Sequence, residues 1–382
     1  MRLGDCGKTN LHTYSDKEKW SLIRYLDTGS ITEGRIDEIQ TLYPGVDKIP
    51  SRARRKASVG DILFSTVRPN QKHYGIIEAG TENLLVSTGF TVVTVDTTIA
   101  DPYFIYYYLT QSSVIESLQA IAEQSTSTYP SIKPSDIEDI ELDLPELETQ
   151  KKIGSTLRML DRKIALNEEI NDNLQQQAAA LFSSLYDRSN TEVRFTDLIQ
   201  ILGGGTPKTG ENTYWNGNIA FFTPKDVGIP YTLITEKTIS KEGLSHCNSR
   251  LYPVNTVFVT ARGTVGKVGM SGVPMAMNQS CYALVGKETH QLLVYFYTLK
   301  AVDRLKHKAS GAVFDAITTR DFESEQIMKL SDDDATAFLR VAEPMFQEVL
   351  NNNIENLRLS TLRDSLLPKL MSGEIDVSAV QL

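Results

Sequence analysis

LRMLDRKIALNEEINDNLQQQAAALFSSL, residues 157–185, sets Leu157, Leu160, Ile164, Asn167, Asn171, Leu174, Ala178, Leu181 and Leu185 at alternating spacings of three and four. That spacing is the stripe of a heptad seam on one α-helix. A helix of about thirty residues with a single apolar stripe gains most of its stability from something packed against the stripe. A second stretch supplies the partner in cis. Leu339, Phe346, Leu350, Asn353, Leu357 and Leu367 lie near one looser stripe, and Gly373 follows as a C-cap. Asn167 and Asn171 on the first seam and Asn353 on the second are costly if buried, yet they can fix register between helices. We expect at least one to face the partner helix, the alternative being a place at the seam's edge.

Outward from the helices the chain repeats itself, and internal repeats govern architecture. DILFSTVR (61–68) pairs with NTVFVTAR (255–262), and STGFTVV (87–93) with NQSCYAL (278–284). FIYYYLTQ (104–111) pairs with VYFYTLK (294–300), and SIKPSDIEDIEL (131–142) with AITTRDFESEQI (316–327). The offset falls from 194 to 191 to 190 to 185, as small loop deletions produce. Each copy reads as short strands and buried aromatic-rich helix, and each is followed by one seam. The expected fold is mixed α/β: two similar globular domains separated by two long antiparallel helices, in a pseudo-twofold repeat. The expected divisions are 1–145, 146–190, 191–332 and 333–382.

The 382 residues leave room for several cores, with 41% hydrophobic and 23% charged residues. No run of eighteen apolar residues occurs, and MRLGDCGKTN has no signal-peptide core. Cys6, Cys247 and Cys281 read as reduced thiols of a cytoplasmic protein. The formal charge of −9 counts against a nucleic-acid binder only if the charge is evenly spread. It is not: seven acids lie within 136–148, and Asp332, Asp333 and Asp334 are consecutive. The alternation at 136–148 predicts a strand with one solvated face rather than a metal site.

No catalytic or cofactor motif emerges. GTVGK (263–267) lacks phosphate-loop spacing and the following Ser or Thr, and GGGTPKTG (203–210) has no dinucleotide register. The five histidines are isolated, and the chain contains no Pro-Pro pair of the kind an adenine methyltransferase motif needs. The chemistry-bearing residues are basic. Arg52, Arg54, Arg55 and Lys56 form a compact run, read as a loop whose long donors can neutralise phosphates or reach guanine edges. Arg68 and Arg262 stand at matching repeat positions, with Lys72 and Lys267 shortly after; Lys208 and Lys225 are further candidates. An ordinary solvated surface is the competing account of each.

The chain resembles the type I restriction–modification specificity subunits. LDLPELETQKKIGSTLRMLDRKI (142–164) is similar to that family's junction between domain and helix, carried by Pro145, Leu147, Gln150, Ile153 and Leu157. LLPKLMSGEI (366–375) resembles its second helix end, and GGGTPKTGENTYWNGNIAFFTPKDV (203–227) the opening of a target recognition domain. The second junction lacks the Pro-x-Leu-x-x-Gln pattern, and the first domain lacks a clean GGGTP counterpart. The resemblance implies a non-catalytic subunit whose two target recognition domains read the halves of a split double-stranded DNA site. Its helices would bind two methyltransferase subunits, with restriction/translocase subunits completing the complex. S-adenosylmethionine, ATP and magnesium would belong to those partners, and no cofactor or metal to this chain. A twofold protein-binding scaffold that does not read DNA is the alternative.

Overall fold

The computed structural model describes residues 1–80, 82–125, 129–228, 230–308 and 316–377. The seams form helices Leu147–Asp187 and Asp332–Met371. Ser331 starts the second, its Oγ accepting from the Asp334 N–H at 3.1 Å. The three aspartates lie in the first turn, where carboxylates complement the helix dipole. Gly373 ends it with φ +75°, its N–H bonded to the Leu370 carbonyl. At the first junction Gln150, 1% exposed, accepts from the Asp101 N–H and donates to the Ile99 and Pro145 carbonyls.

The chain divides into two compact units, each taking part of both helices: Met1–Lys163 with the chain from Leu359 onward, and Ile164–Arg358. In the first, an antiparallel sheet has the order Gly7–Thr9, Phe90–Val95, Ile62–Ser65, Tyr74–Ile76. A second sheet runs Gln40–Leu42, Ile23–Leu26, Leu84–Ser87, Ala53–Lys56, its middle pair parallel. The second unit repeats this plan. Its antiparallel core runs Ile199–Gly203, Cys281–Gly286, Val257–Thr260, Val268–Ser271, with Tyr231–Thr232 added in parallel. Its second sheet runs Lys237–Ile239, Trp215–Phe222, Met275–Met277, again with a parallel pair. The elements that lead into GGGTP do have a counterpart at the opening of the first domain. Leu3–Cys6 and Gly7–Thr9 match Phe195–Leu198 and Ile199–Gly203, helix turn for helix turn and strand for strand.

Within each unit the helix portions run antiparallel, but what joins them differs. In the second unit Phe182 packs against Phe296, Phe338 and Tyr297 at centroid distances of 4.9, 5.5 and 5.5 Å. Further along, Asn167 donates to Glu355 and Asn356, and Asn171 to Asn353, while Asn352 donates to Asn171. In the first unit Ile153, Leu157, Leu367 and Leu370 share the domain's apolar core, and a polar join is added to it: Tyr107 donates to Asp161 at 2.5 Å, and Arg363 to the same carboxylate at 2.7 Å.

Of the expected seam, Leu157, Asn167, Asn171, Leu185, Phe346 and Leu350 are buried, while Leu160, Ile164, Leu174, Leu181, Asn353 and Leu357 are half-buried. The stripe also takes in Phe182, Phe338, Ala342, Val349 and Asn352, which a strict heptad count passes over. The acidic stretch is a correction to the expected strand. Pro134–Glu138 is helical, and only Glu141 bridges, to Arg2. Pro134 at the first helical position starts that turn, which overrides the alternation.

Candidate nucleic-acid interface

In the first unit the turn Ser87–Gly89 gathers the basic candidates. The run expected as a loop is a strand, Ala53–Lys56, paired with Leu84–Ser87 across a register shift between Ala53 and Arg55. Its other edge is met by residues 12–14, through Tyr14 N–H to the Arg54 carbonyl and Lys56 N–H to the His12 carbonyl. Four long polar side chains within five residues read as solvated, but alternate positions of a two-sided strand need only partial burial. Thr88 donates its N–H to the Arg52 carbonyl at 2.9 Å and accepts from Arg55 Nη2 at 3.4 Å. Thr66, two residues before Arg68, donates to the Gly89 carbonyl at 2.8 Å.

These cations are not equivalent. Arg52 is exposed. Arg54 is half-buried and engaged with neighbouring groups. Arg55 is half-buried, and its desolvation lowers the guanidinium pKa; Nη1 is buried with no hydrogen-bond partner among the described residues. A buried charged donor left so is costly, and an acceptor brought to it would relieve that cost. Lys56 pairs with Glu18 at 2.5 Å and lies over the Trp20 ring at 5.3 Å. That lysine holds the Glu18 carboxyl below the usual range. Arg68 is exposed, 5.7 Å from the Tyr129 ring centroid, and Lys72 pairs with Glu33 at 2.5 Å. Both take left-handed backbone, φ 47° and 57°, around a one-turn 3-10 helix at Pro69–Gln71.

In the second unit the matching turn is Asn278–Ser280. The loop at Gly204 presses on it so closely that a Cβ there would stand 2.2 Å from the Asn278 carbonyl oxygen, so only glycine fits. Thr206 donates to Gln279, and the Trp215 indole to the Lys208 carbonyl at 3.1 Å. Arg262 N–H reaches the Ser280 carbonyl at 3.3 Å, and Thr264 donates to the Pro224 carbonyl at 3.3 Å. The structure thus brings the segments of Lys208 and Arg262 to this turn, and those of Lys225 and Lys267 to the hairpin loop beside it. Lys225 pairs weakly with Glu236 at 3.5 Å; Lys208, Arg262 and Lys267 are exposed.

The expected equivalence of Arg68 and Arg262 is overturned by register. Ser65 faces Phe90 and Thr260 faces Cys281, so the strands match at an offset of 195, not 194. Thr66 N–H to Gly89 then corresponds to Ala261 N–H to Ser280. Arg68 falls level with Gly263, and Arg262 with Val67. The visible Arg-to-Arg match hides a one-residue slip, absorbed by the shorter loop before Val268. Such a slip turns a strand's side chains to the other face.

GTVGK joins the paired strands Val257–Thr260 and Val268–Ser271, with φ +83° at Gly263 and +74° at Gly266. It is a hairpin loop, whereas a phosphate loop leads from strand into helix. Lys306, on the Gln291–Lys308 helix, reaches this loop and was missed in the sequence; the basic end Lys306–Lys308 was the available signal. Among the described residues no helix is long and apolar enough to cross a membrane, and no His, Cys, Asp or Glu cluster is disposed to hold a metal.

Comparison with known proteins identifies the family. The family model described as the type I restriction modification DNA specificity domain matches twice, at residues 53–176 and 188–329. The type I restriction enzyme HindI specificity subunit of Haemophilus influenzae is 25% identical, with 98% of this chain and 98% of that protein covered. The MjaIX specificity subunit of Methanocaldococcus jannaschii is 21% identical over 83% of this chain and 78% of that one. The crystal structure of the type I restriction–modification S subunit from M. genitalium matches with a TM-score of 0.61 at 16% identity, over 97% of this chain and 95% of that one, a likeness of fold. With the family's model matched once in each repeat and over well more than half of its length, this chain belongs to the type I restriction–modification DNA specificity family.

Proposed function

We propose that this chain selects DNA for a type I restriction–modification complex by using each unit to read one half of a split duplex site. It is a non-catalytic specificity subunit, so methylation and cleavage belong to its partners. The observation that carries the proposal is that each copy of one fold gathers cationic segments at and beside the corresponding turn, Ser87–Gly89 and Asn278–Ser280. Arg52, Arg54, Arg55 and Arg68 would serve the first half-site, with Lys56 and Lys72, each paired with a glutamate, contributing less. Lys208, Lys225, Arg262 and Lys267 would serve the second. Phosphate contacts position such a protein, and arginine forks can also read guanine.

Two methyltransferase subunits are the partners we assign to the helices. The helices keep apolar side chains in solvent: Met159 and Leu362 in the first unit, Leu166, Ile170 and Val341 in the second. S-adenosylmethionine, ATP and magnesium would act in the methyltransferase and restriction subunits. A salt titration of duplex binding tests the DNA assignment. A log–log slope near −0.9 per phosphate contact is expected. Absence of salt-dependent duplex binding would favour a protein-binding scaffold instead.

A further inference from the structure

The basic end of the Gln291–Lys308 helix is sorted by side. Glu325, 0% exposed, takes Arg304 at 2.7 Å and Lys308 at 2.5 Å. Asp303 takes the His307 ring at 3.6 Å. Lys306, two residues from each of Arg304 and Lys308, leaves the helix in another direction, because neighbours at that spacing do not share a face. Its stem lies over Gly266: a Cβ on that glycine would stand 2.6 Å from Lys306 Cε and 3.4 Å from Nζ. Gly266 N–H is fixed to the Thr260 carbonyl at 2.8 Å, and Lys267 N–H to Thr260 Oγ1 at 2.9 Å. The lysine is therefore carried onto a hairpin loop that its own hydrogen bonds hold closed.

That loop already presents Arg262 and Lys267. Among the described residues no carboxylate pairs with Arg262, Lys267 or Lys306, and all three are exposed. Three cations without a carboxylate partner among the described residues, two on this short loop and one reaching over it, make an arrangement that favours an anion. The corresponding loop of the first unit is built otherwise. There Lys72 is neutralised by Glu33, Arg68 lies over Tyr129, and the Asn70 N–H is taken by Gln119 of the adjoining helix.

We propose that Lys306, Arg262 and Lys267 form a backbone-phosphate clamp peculiar to the second unit, with Lys306 placed by its passage over Gly266. This rests on the DNA-reading function above and adds to it a division of labour: charge neutralisation concentrated beside one half-site. A phosphate clamp carries no base information, so its loss lowers affinity and salt dependence together and leaves the recognised sequence alone.

The test uses the full chain with its methyltransferase partner and a duplex carrying the motif that the wild-type complex methylates. Lys306→Gln should reduce the slope of log affinity against log salt by about 0.9. Lys300→Gln removes the same charge from the same helix, where Lys300 stacks on Tyr186 at 5.1 Å, and should leave the slope unchanged. Thermal melting of both variants checks that they fold. An unchanged slope in Lys306→Gln, or an equal fall in Lys300→Gln, overturns the clamp. An altered second half-site motif in Lys306→Gln overturns it too, since the lysine would then read bases. A wild-type complex without salt-dependent duplex binding would instead remove the DNA-reading function on which the clamp rests.

Discussion

Asn171 accepts a hydrogen bond from Asn352 at 2.9 Å across the packed helices of the second unit, and both side chains are buried, at 4% and 6% exposure. Asn167 donates to Asn356 at 2.8 Å. Shifted by 185 residues, Asn167 becomes Asn352 and Asn171 becomes Asn356, so the two contacts are copies of each other. A buried amide pair of this kind stabilises little by itself but penalises every other register, because a shifted amide would be left without partners.

Asn171→Leu should therefore destabilise the chain by about 2–4 kcal/mol, stranding the Asn352 donor and the Asn353 acceptor. Adding Asn352→Leu should recover part of that loss, since two facing leucines suit a helix seam. Chemical denaturation of the two variants measures both effects. A double variant no more stable than the single would show that the amides are not coupled.

The first unit makes a different prediction. Asp161 joins Tyr107 and Arg363, whereas the Asp364 carboxylate touching Arg363 is largely exposed. Asp161→Ala should cost about 2–3 kcal/mol, as half-buried charge-assisted bonds are lost. Asp364→Ala should cost about 0–1 kcal/mol. Calorimetric unfolding distinguishes them, and equal losses would contradict the polar join.

The helices were legible because Leu157 to Leu185 repeat a strict spacing, and the two-domain plan because four segments recur in order. What the sequence concealed was register. Arg68 and Arg262 look paired because arginine is conspicuous, while the pairing is set by Ser65 opposite Phe90 and Thr260 opposite Cys281. The second seam was blurred for a related reason. Phe338, Ala342 and Val349 face the aromatic cluster of a domain as well as a helix, so the apolar stripe widens beyond heptad positions. Within the basic run, the pairing of Lys56 with Glu18 and the burial of Arg55 depend on contacts 38 and 33 residues apart. Local spacing carries no such information.

That burial separates the members of the run by experiment. Replacing Arg52, Arg54 and Arg55 together by alanine should weaken duplex binding and reduce the salt slope by up to about 0.9 per lost phosphate contact. Lys56→Ala should change the slope less than any one arginine, because Glu18 already neutralises Lys56. Fluorescence anisotropy at several salt concentrations measures this. A triple variant with unchanged affinity and slope would remove the strand from the interface.

Thiol chemistry checks the two cores directly. Burial pushes the Cys281 thiol up to about 12 and raises that of buried Cys6, while Cys247 is only half-buried. Since the thiolate is the reactive species, iodoacetamide at neutral pH should label Cys247 ahead of both others in the folded chain. Peptide mass spectrometry reads the order, and early labelling of Cys281 would contradict the packing of its strand.

Methylated adenines mapped across the genome of cells carrying the wild-type chain, no chain, or the Arg52, Arg54, Arg55 triple-alanine variant test the central claim most directly. One bipartite motif present only with the wild-type chain, and lost or altered in its first half alone with the variant, is the result predicted for two units reading two half-sites. A motif that persists without the chain, or a variant that changes both halves alike, would contradict it.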